Sequence, residues 1–309
     1  MGSTIKYLVV CIVAMVSLTM AQIYAQTPAI AAEAVELCQA KKFQEALTSI
    51  QKGIDDPQDS KHPYTWFVKG FIHKEAYKYD EMYQRSSQHR EIAVKCFEKS
   101  LQLDDKREFV AQTHVALKYL ASTYFNDAML ASREFDLASP EEYITYFHTF
   151  RRLMRMVDPV TDLSPFEHDL LKSAGQRYFE IWQLDTDQDG PANQAAAKFL
   201  EALGHDSTDC HIYYNLGVVY YNRAVFKYRS LNVDTEMDEL FTIQTESVGL
   251  LQKALQVFTN GQRICPEDGD ILKGLLYINK AFENEKNVEY FKSEIERLID
   301  EGKIKKPED

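Results

Sequence analysis

The run Asp185-Thr186-Asp187-Gln188-Asp189-Gly190 is the one local stretch of this 309-residue sequence whose residue types and spacing could do chemistry. Carboxylates at alternate positions offer hard oxygen ligands to a cation such as calcium, and the glycine after them permits the chain to bend round the ion. Elsewhere the reactive residues are dispersed. The eight histidines, at positions 62, 73, 89, 114, 148, 168, 205 and 211, stand singly, with no His-Glu-x-x-His and no second histidine at helical spacing. No metallohydrolase site follows from them. The sequence has no Gly-x-Ser-x-Gly elbow, phosphate-binding loop or dinucleotide fingerprint. Its adjacent carboxylates, Asp55-Asp56 and Glu141-Glu142, are accounted for by solvent or by the positive end of a helix. The chain is expected not to be an enzyme.

Asp185, Asp187, Asp189 and Gly190 resemble the first half of an EF-hand loop. The second half departs from that family: the eighth position is Ala192, and the twelfth, which should be a bidentate glutamate, is Ala196. A solvated acidic turn capping the next helix explains the segment adequately, with a calcium site as the alternative; no other cofactor is expected.

The elements that hold these residues are helical. Apolar residues recur at helical spacing from about residue 27 to 301, and no alternating run of strand length occurs. Tyr213, Leu216, Gly217 and Tyr220 repeat the spacing of Leu171, Ala174, Gly175 and Tyr178. A companion pattern of small, bulky and small residues appears at Ala46/Ile50/Gly53, Ala93/Phe97/Ser100, Ala195/Phe199/Ala202 and Ala254/Phe258/Gly261. These patterns resemble the two helices of a tetratricopeptide (TPR) unit, a helix–turn–helix of about 34 residues. The resemblance implies an all-α, TPR-like solenoid of about six antiparallel helix pairs, at about 27–56, 62–104, 107–157, 164–205, 209–265 and 268–301. It implies one continuous array rather than two domains, with a charged tail over 302–309. From Trp66 to Ala93 there are 11 residues more than the template allows, from Leu171 to Ala195 there are 8 more, and from Tyr213 to Ala254 there are 25 more. The last excess predicts two long helices meeting near 232–234 and protruding from the array. The third pair keeps the apolar spacing but loses the signature residues. Pro57, Pro63, Pro140, Pro159, Pro165, Pro191 and Pro266 all fall between the helices drawn this way.

A solenoid offers surface rather than chemistry. The family uses template positions 2, 5, 9, 12 and 13 of its first helices as a groove for peptides or partner helices. Carried over, these are Tyr64, Phe67, Phe71, Lys74 and Glu75 in the second pair, and His211, Tyr214, Val218, Tyr221 and Asn222 in the fifth. Cytosolic chaperone-binding members place Lys and Asn there to clamp a terminal carboxylate. Here position 5 is Ala31, Phe67 and Tyr214 in the first, second and fifth pairs, so the groove is expected to be aromatic, unless the long helices bury these rings as core. The same tyrosine-rich face could stack sugars in a carbohydrate-binding or enzymatic envelope protein, and the protruding helices could hold the chain in an envelope-assembly complex. In the TPR frame Cys210 and Cys265 lie at the same end of one pair, where they either form a disulfide or remain two buried thiols; Cys38 and Cys96 are expected to stay free.

Residues 1–25 read as a secretory signal peptide. Lys6 precedes an apolar run from Tyr7 to about Met20, and Ala25 offers a cleavage site. An uncleaved anchor is the alternative, and the only route to a membrane. The formal net charge is −12, or −13 without Lys6, and no basic stripe interrupts it. Such a surface repels phosphate backbones, which argues against nucleic acid and for a protein or peptide partner. The absence of an Asn-x-Ser/Thr sequon and the Ala-Gln end of the signal favour bacterial export to the periplasm or cell surface.

Overall fold

A computed structural model describes residues 28–136, 142–232 and 234–305; the expected signal peptide lies outside them. Among the described residues the chain is all-α, without strands. The helices are α1 (Ala29–Gln39), α2 (Phe43–Asp55), α3 (Pro63–Tyr79), α4 (Gln88–Leu103), α5 (Val110–Glu134), α6 (Glu142–Val157), α7 (Ser164–Leu184), α8 (Asp189–His205), α9 (Cys210–Arg229), α10 (Met237–Ile264), α11 (Gly269–Ala281) and α12 (Glu285–Asp300). A single 3₁₀ turn, Asp59–Lys61, joins α2 to α3. No helix among the described residues is long and apolar enough to cross a membrane.

The helices pack as consecutive antiparallel pairs, and small residues set how closely they approach. In the pair α7–α8, a Cβ on Gly175 would lie 2.9 Å from the Phe199 ring. In α9–α10, a Cβ on Gly217 would lie 2.5 Å from the ring of Phe258, and one on Gly274 of α11 would meet the same ring at the same distance. Phe258 is thus held between two helices that carry no side chain where it sits, and its burial contributes roughly 3 kcal/mol. Side chains close the helix ends. Asp209 accepts from the main-chain N–H groups of His211 and Ile212, Asp268 from those of Asp270 and Ile271, and Ser87 from that of Arg90. Each satisfies donors that the first turn leaves unpaired.

The chain divides into two compact units, where the repeat pattern implied one continuous array. The first comprises residues up to Phe125 together with Thr149–Pro159; the second comprises Asn126–His148 and everything from Val160 onward. The division passes through α5 and α6, the pair that has lost the signature residues. Phe125 meets Phe150 within the first unit, at 5.1 Å between ring centroids. In the second, Phe135 meets Tyr143 and Tyr178 at 5.5 and 4.7 Å.

Three prolines lie inside helices rather than between them. Pro63, Pro165 and Pro191 occupy the first turns of α3, α7 and α8, where the missing N–H would have had no partner. The 8-residue excess of the fourth pair lengthens its helices instead of forming a loop: only residues 185–188 separate α7 from α8.

Candidate functional site

One face of α7 is polar, with Asp169 and Glu180 exposed and Lys172, Ser173 and Gln176 half-buried. Asp169, Lys172, Ser173, Gln176 and Glu180 are spaced at i, i+3, i+4, i+7 and i+11, which places them in one stripe. The opposite face buries Leu171, Ala174 and Tyr178 against the core. With Met129 and Arg133 from the end of α5, Arg177 beside the stripe and Asn215 from α9, these residues line a recess of about 570 Å³ in the second unit.

The charges in this recess are partly spoken for. Lys172 donates to Asp209 at 2.6 Å, and the same carboxylate oxygen lies 3.0 Å from His168 Nε2. The other ring nitrogen of His168 is 3.1 Å from the Ala202 carbonyl. Burial pushes the Asp209 carboxyl upward, but the bonds from Lys172 and His168 outweigh it and hold the group below its ordinary range. Asp209 is therefore a fixed anion that joins α7 to the start of α9. Arg177 donates through Nε to the Phe135 carbonyl at 2.9 Å and lies 3.4 Å from Glu180. The Ser173 hydroxyl is 2.7 Å from that of Ser132, so this hydroxyl faces another serine and no base. Arg133 and Asp169, both exposed, have no ion-pair partner among the described residues. What the recess offers a ligand is one cation, Arg133, one anion, Asp169, and the amide of Asn215; the Gln176 amide donates to Glu180 at 3.4 Å.

The sequence could have revealed this stripe. Counted from Leu171, template positions 2, 5, 9 and 13 of the fourth pair are Asp169, Lys172, Gln176 and Glu180. A lysine does stand at position 5, in a pair to which the groove positions had not been extended. The aromatic groove expected from the other pairs is not what the structure presents. Tyr64 and Phe67 are buried, Phe67 against Tyr64, Phe71 and Phe97, and Tyr64 against Phe109 at 5.2 Å. Phe109, which follows α4, and Phe97 within it occupy the surface these rings were to line. Phe71, Lys74 and Glu75 are half-buried: the Lys74 ammonium lies 4.8 Å from the Phe71 ring centre and 5.3 Å from that of Tyr119, and pairs with Glu75. On α9, His211 is exposed and Asn222 half-buried. Tyr214, Val218 and Tyr221 pack against the core built around Phe258 and Leu275. These aromatic side chains join one helix pair to the next.

The run Asp185, Asp187 and Asp189, for which a calcium loop is the alternative reading, forms no metal-holding cluster among the described residues. Asp189 opens α8, and its two oxygens face Arg223 at 3.0 Å and Lys227 at 3.1 Å. Burial raises the Asp189 carboxyl, and those two cations bring it below its ordinary value. Asp185 accepts from Gln188 at 2.6 Å. Among the described residues, no cluster of three or more His, Cys, Asp or Glu is arranged to hold a metal. An aspartate bound by two cations on a neighbouring helix cannot also turn back to an ion. Cys210 and Cys265 are joined as a disulfide, with their Cα atoms 6.1 Å apart. Cys38 and Cys96 are buried free thiols that burial pushes up to about 12 and about 11.

No family model and no curated protein matches the sequence. Solved structures similar to this chain include a monomeric mutant of IFIT1 with Gppp-AAAA, at TM-score 0.35 and 10% identity over 82% of this chain and 46% of that one. This chain thus corresponds to less than half the length of that protein. MamA protein is similar at TM-score 0.34 and 16% identity, over 77% of this chain and 98% of that one. PilW, described as a widely conserved type IV pilus biogenesis factor, is similar at TM-score 0.34 and 16% identity, over 87% of this chain and 90% of that one.

Proposed function

We propose that this chain is a non-catalytic scaffold that holds a polypeptide segment against the polar stripe of α7. The observation that carries the reading is the recess shared by α5, α7 and α9, in which Arg133, Asp169 and Asn215 are open to a ligand while the residues around them are bonded to one another. A primary amide offers both a donor and an acceptor, which is what a peptide main chain requires. Arg133 and Asp169 can then select charged side chains or chain ends. A non-catalytic role is supported by the environment of the reactive groups: both ring nitrogens of His168 are engaged, and Ser173 faces Ser132. The disulfide accords with an oxidising compartment, so we place the protein beyond the inner membrane, in the periplasm or at the cell surface.

A photo-crosslinking side chain tests this. Introduced at the exposed Asp169 in the producing cell, it is expected to yield a discrete polypeptide adduct that is lost on Arg133→Glu. The same probe at Glu289, on the outer side of α12, is expected to give none. Equal labelling at both sites, or no polypeptide adduct at Asp169, would overturn the reading.

A further inference from the structure

The first unit carries a surface of its own, where the turn inside its first helix pair meets the loop inside its second. Lys41 stands between α1 and α2, Lys78 and Tyr79 end α3, and Met82 and Tyr83 lie in the loop before α4. Tyr79, Met82 and Tyr83 are 42%, 75% and 44% exposed. The backbone that presents them is left-handed at Lys41, Met82 and Tyr83, with φ of 59°, 47° and 64°. Residues other than glycine adopt such values at a cost, and surrounding contacts must impose them. Those contacts are present. Tyr83 donates its main-chain N–H to the Tyr77 carbonyl at 3.1 Å, its ring meets that of Tyr77 edge-on, and its hydroxyl lies 3.2 Å from that of Tyr119 on α5. The loop is therefore fixed in place, and it leaves Met82 in solvent.

Two cations sit on the exposed ring itself. The Lys41 and Lys78 ammonium groups are 4.5 and 4.8 Å from the centre of the Tyr79 ring, so they are no more than about 9 Å from each other. Neither has an ion-pair partner among the described residues. The carboxylates nearby are engaged elsewhere: Glu45 with Lys42, Glu75 with Lys74, and Glu81 with the Ser87 hydroxyl. Between residues 74 and 87 only Asp80, exposed beside Tyr79, is an acid without a partner among the described residues. Two like charges held this close repel each other, and an anion shared between them relieves the repulsion. A chain of formal charge −12 repels extended polyanions, and two ammonium groups over one ring match one or two carboxylates rather than a phosphate backbone. We propose that Lys41, Lys78, Tyr79 and Met82 form a docking site for an acidic segment of another polypeptide, its carboxylates between the two ammonium groups and a neighbouring apolar side chain on Met82.

The probe is a short fluorescent peptide in which glutamates flank a pair of leucines, titrated with the full chain and followed by anisotropy in roughly 0.15 M salt. Its counterpart carries glutamine in place of every glutamate. The acidic peptide is expected to bind saturably, and the glutamine peptide at least about tenfold more weakly. Lys41→Glu combined with Lys78→Glu should weaken the acidic peptide by about tenfold or more, while Lys41→Arg with Lys78→Arg, which keeps both charges, should bind it like the parent. Met82→Ser should weaken both peptides, and Asp80→Asn should tighten the acidic one alone. None of these side chains is buried, so each variant is expected to melt like the parent. The proposal fails if the acidic peptide does not bind, if the two peptides bind alike, or if the paired Glu variant binds the acidic peptide like the parent. It also fails if a single-stranded oligonucleotide or vesicles of anionic lipid bind more tightly than the acidic peptide and lose that binding in the paired Glu variant, since the occupant would then be a polyanion. A parent dimer in sedimentation that the same variant dissociates would overturn it as well, because a second copy would then occupy the site.

Discussion

Phe258 shows how much a single side chain can organise. Its ring fills the space that Gly217 on α9 and Gly274 on α11 leave open, with a prospective Cβ at 2.5 Å in either case. Because the neighbour is a buried ring with no room to withdraw, Gly217→Ala is expected to cost about 1–3 kcal/mol in denaturant unfolding, with Gly274→Ala similar. Gly204, near the end of α8, has nothing within 4 Å of a prospective Cβ. Gly204→Ala is expected to stabilise the protein by roughly 0.5 kcal/mol, through the lower backbone entropy of the unfolded chain. Equal effects at Gly204 and Gly217 would refute this account of the packing. The glycines at 175 and 217 were legible as close-approach positions because they sit at fixed distances from Leu171 and Tyr213. Gly274 was not legible, since its role depends on a ring contributed by the preceding pair.

At the scale of the element, α3 and α4 are joined by a contact between the buried His73 and the half-buried His89. His73 Nδ1 and His89 Nδ1 lie 2.8 Å apart, with the rings 4.9 Å between centroids. One ring must donate and the other accept, so the contact requires at least one neutral imidazole. Burial first, then the neighbouring His89 and Lys69, brings His73 down to about 4. In the unfolded chain the group titrates near 6.5. The folded state therefore binds fewer protons between those values, and stability that is complete above about pH 6.5 is lost as the pH falls toward 4. Urea midpoints measured from pH 7.5 to 5 should decline for the parent and decline less for His73→Leu. Parallel declines would assign the effect to other groups. Neither histidine is marked by the repeat template, and sixteen residues separate them along the chain; pairing became visible only when two helices were laid side by side.

Across the whole molecule, the two compact units differ in how they are tied. Cys210 and Cys265 both belong to the second, closing a loop whose ends are 55 residues apart. In the chain-entropy account such a link stabilises by about 4 kcal/mol. The bridge borders a recess lined also by Tyr290, Glu294 and Arg297, so a small reductant can reach it. Reduction, or replacement of both cysteines by serine, is expected to lower the melting transition of the second unit and leave that of the first in place. Calorimetry in the presence and absence of reductant would check this; a shift common to both units would show that they unfold as one.

Helical class, the paired arrangement and the long hairpin at 210–264 were determined by local sequence: 3.6-residue apolar spacing, glycines facing large rings and the distances between signature residues are short-range properties. The aromatic groove was not. The template marks which residues lie on a helix's inner face, but whether Tyr64 and Phe67 remain open depends on what the chain places against them, here Phe109 on Tyr64 and Phe97 on Phe67. The acidic turn at 185–189 was ambiguous for the same reason, because the cations that engage Asp189 come from α9, more than thirty residues away. Periodicity and spacing fix the elements; burial and charge pairing depend on residues distant in sequence, and those only the tertiary structure could bring together.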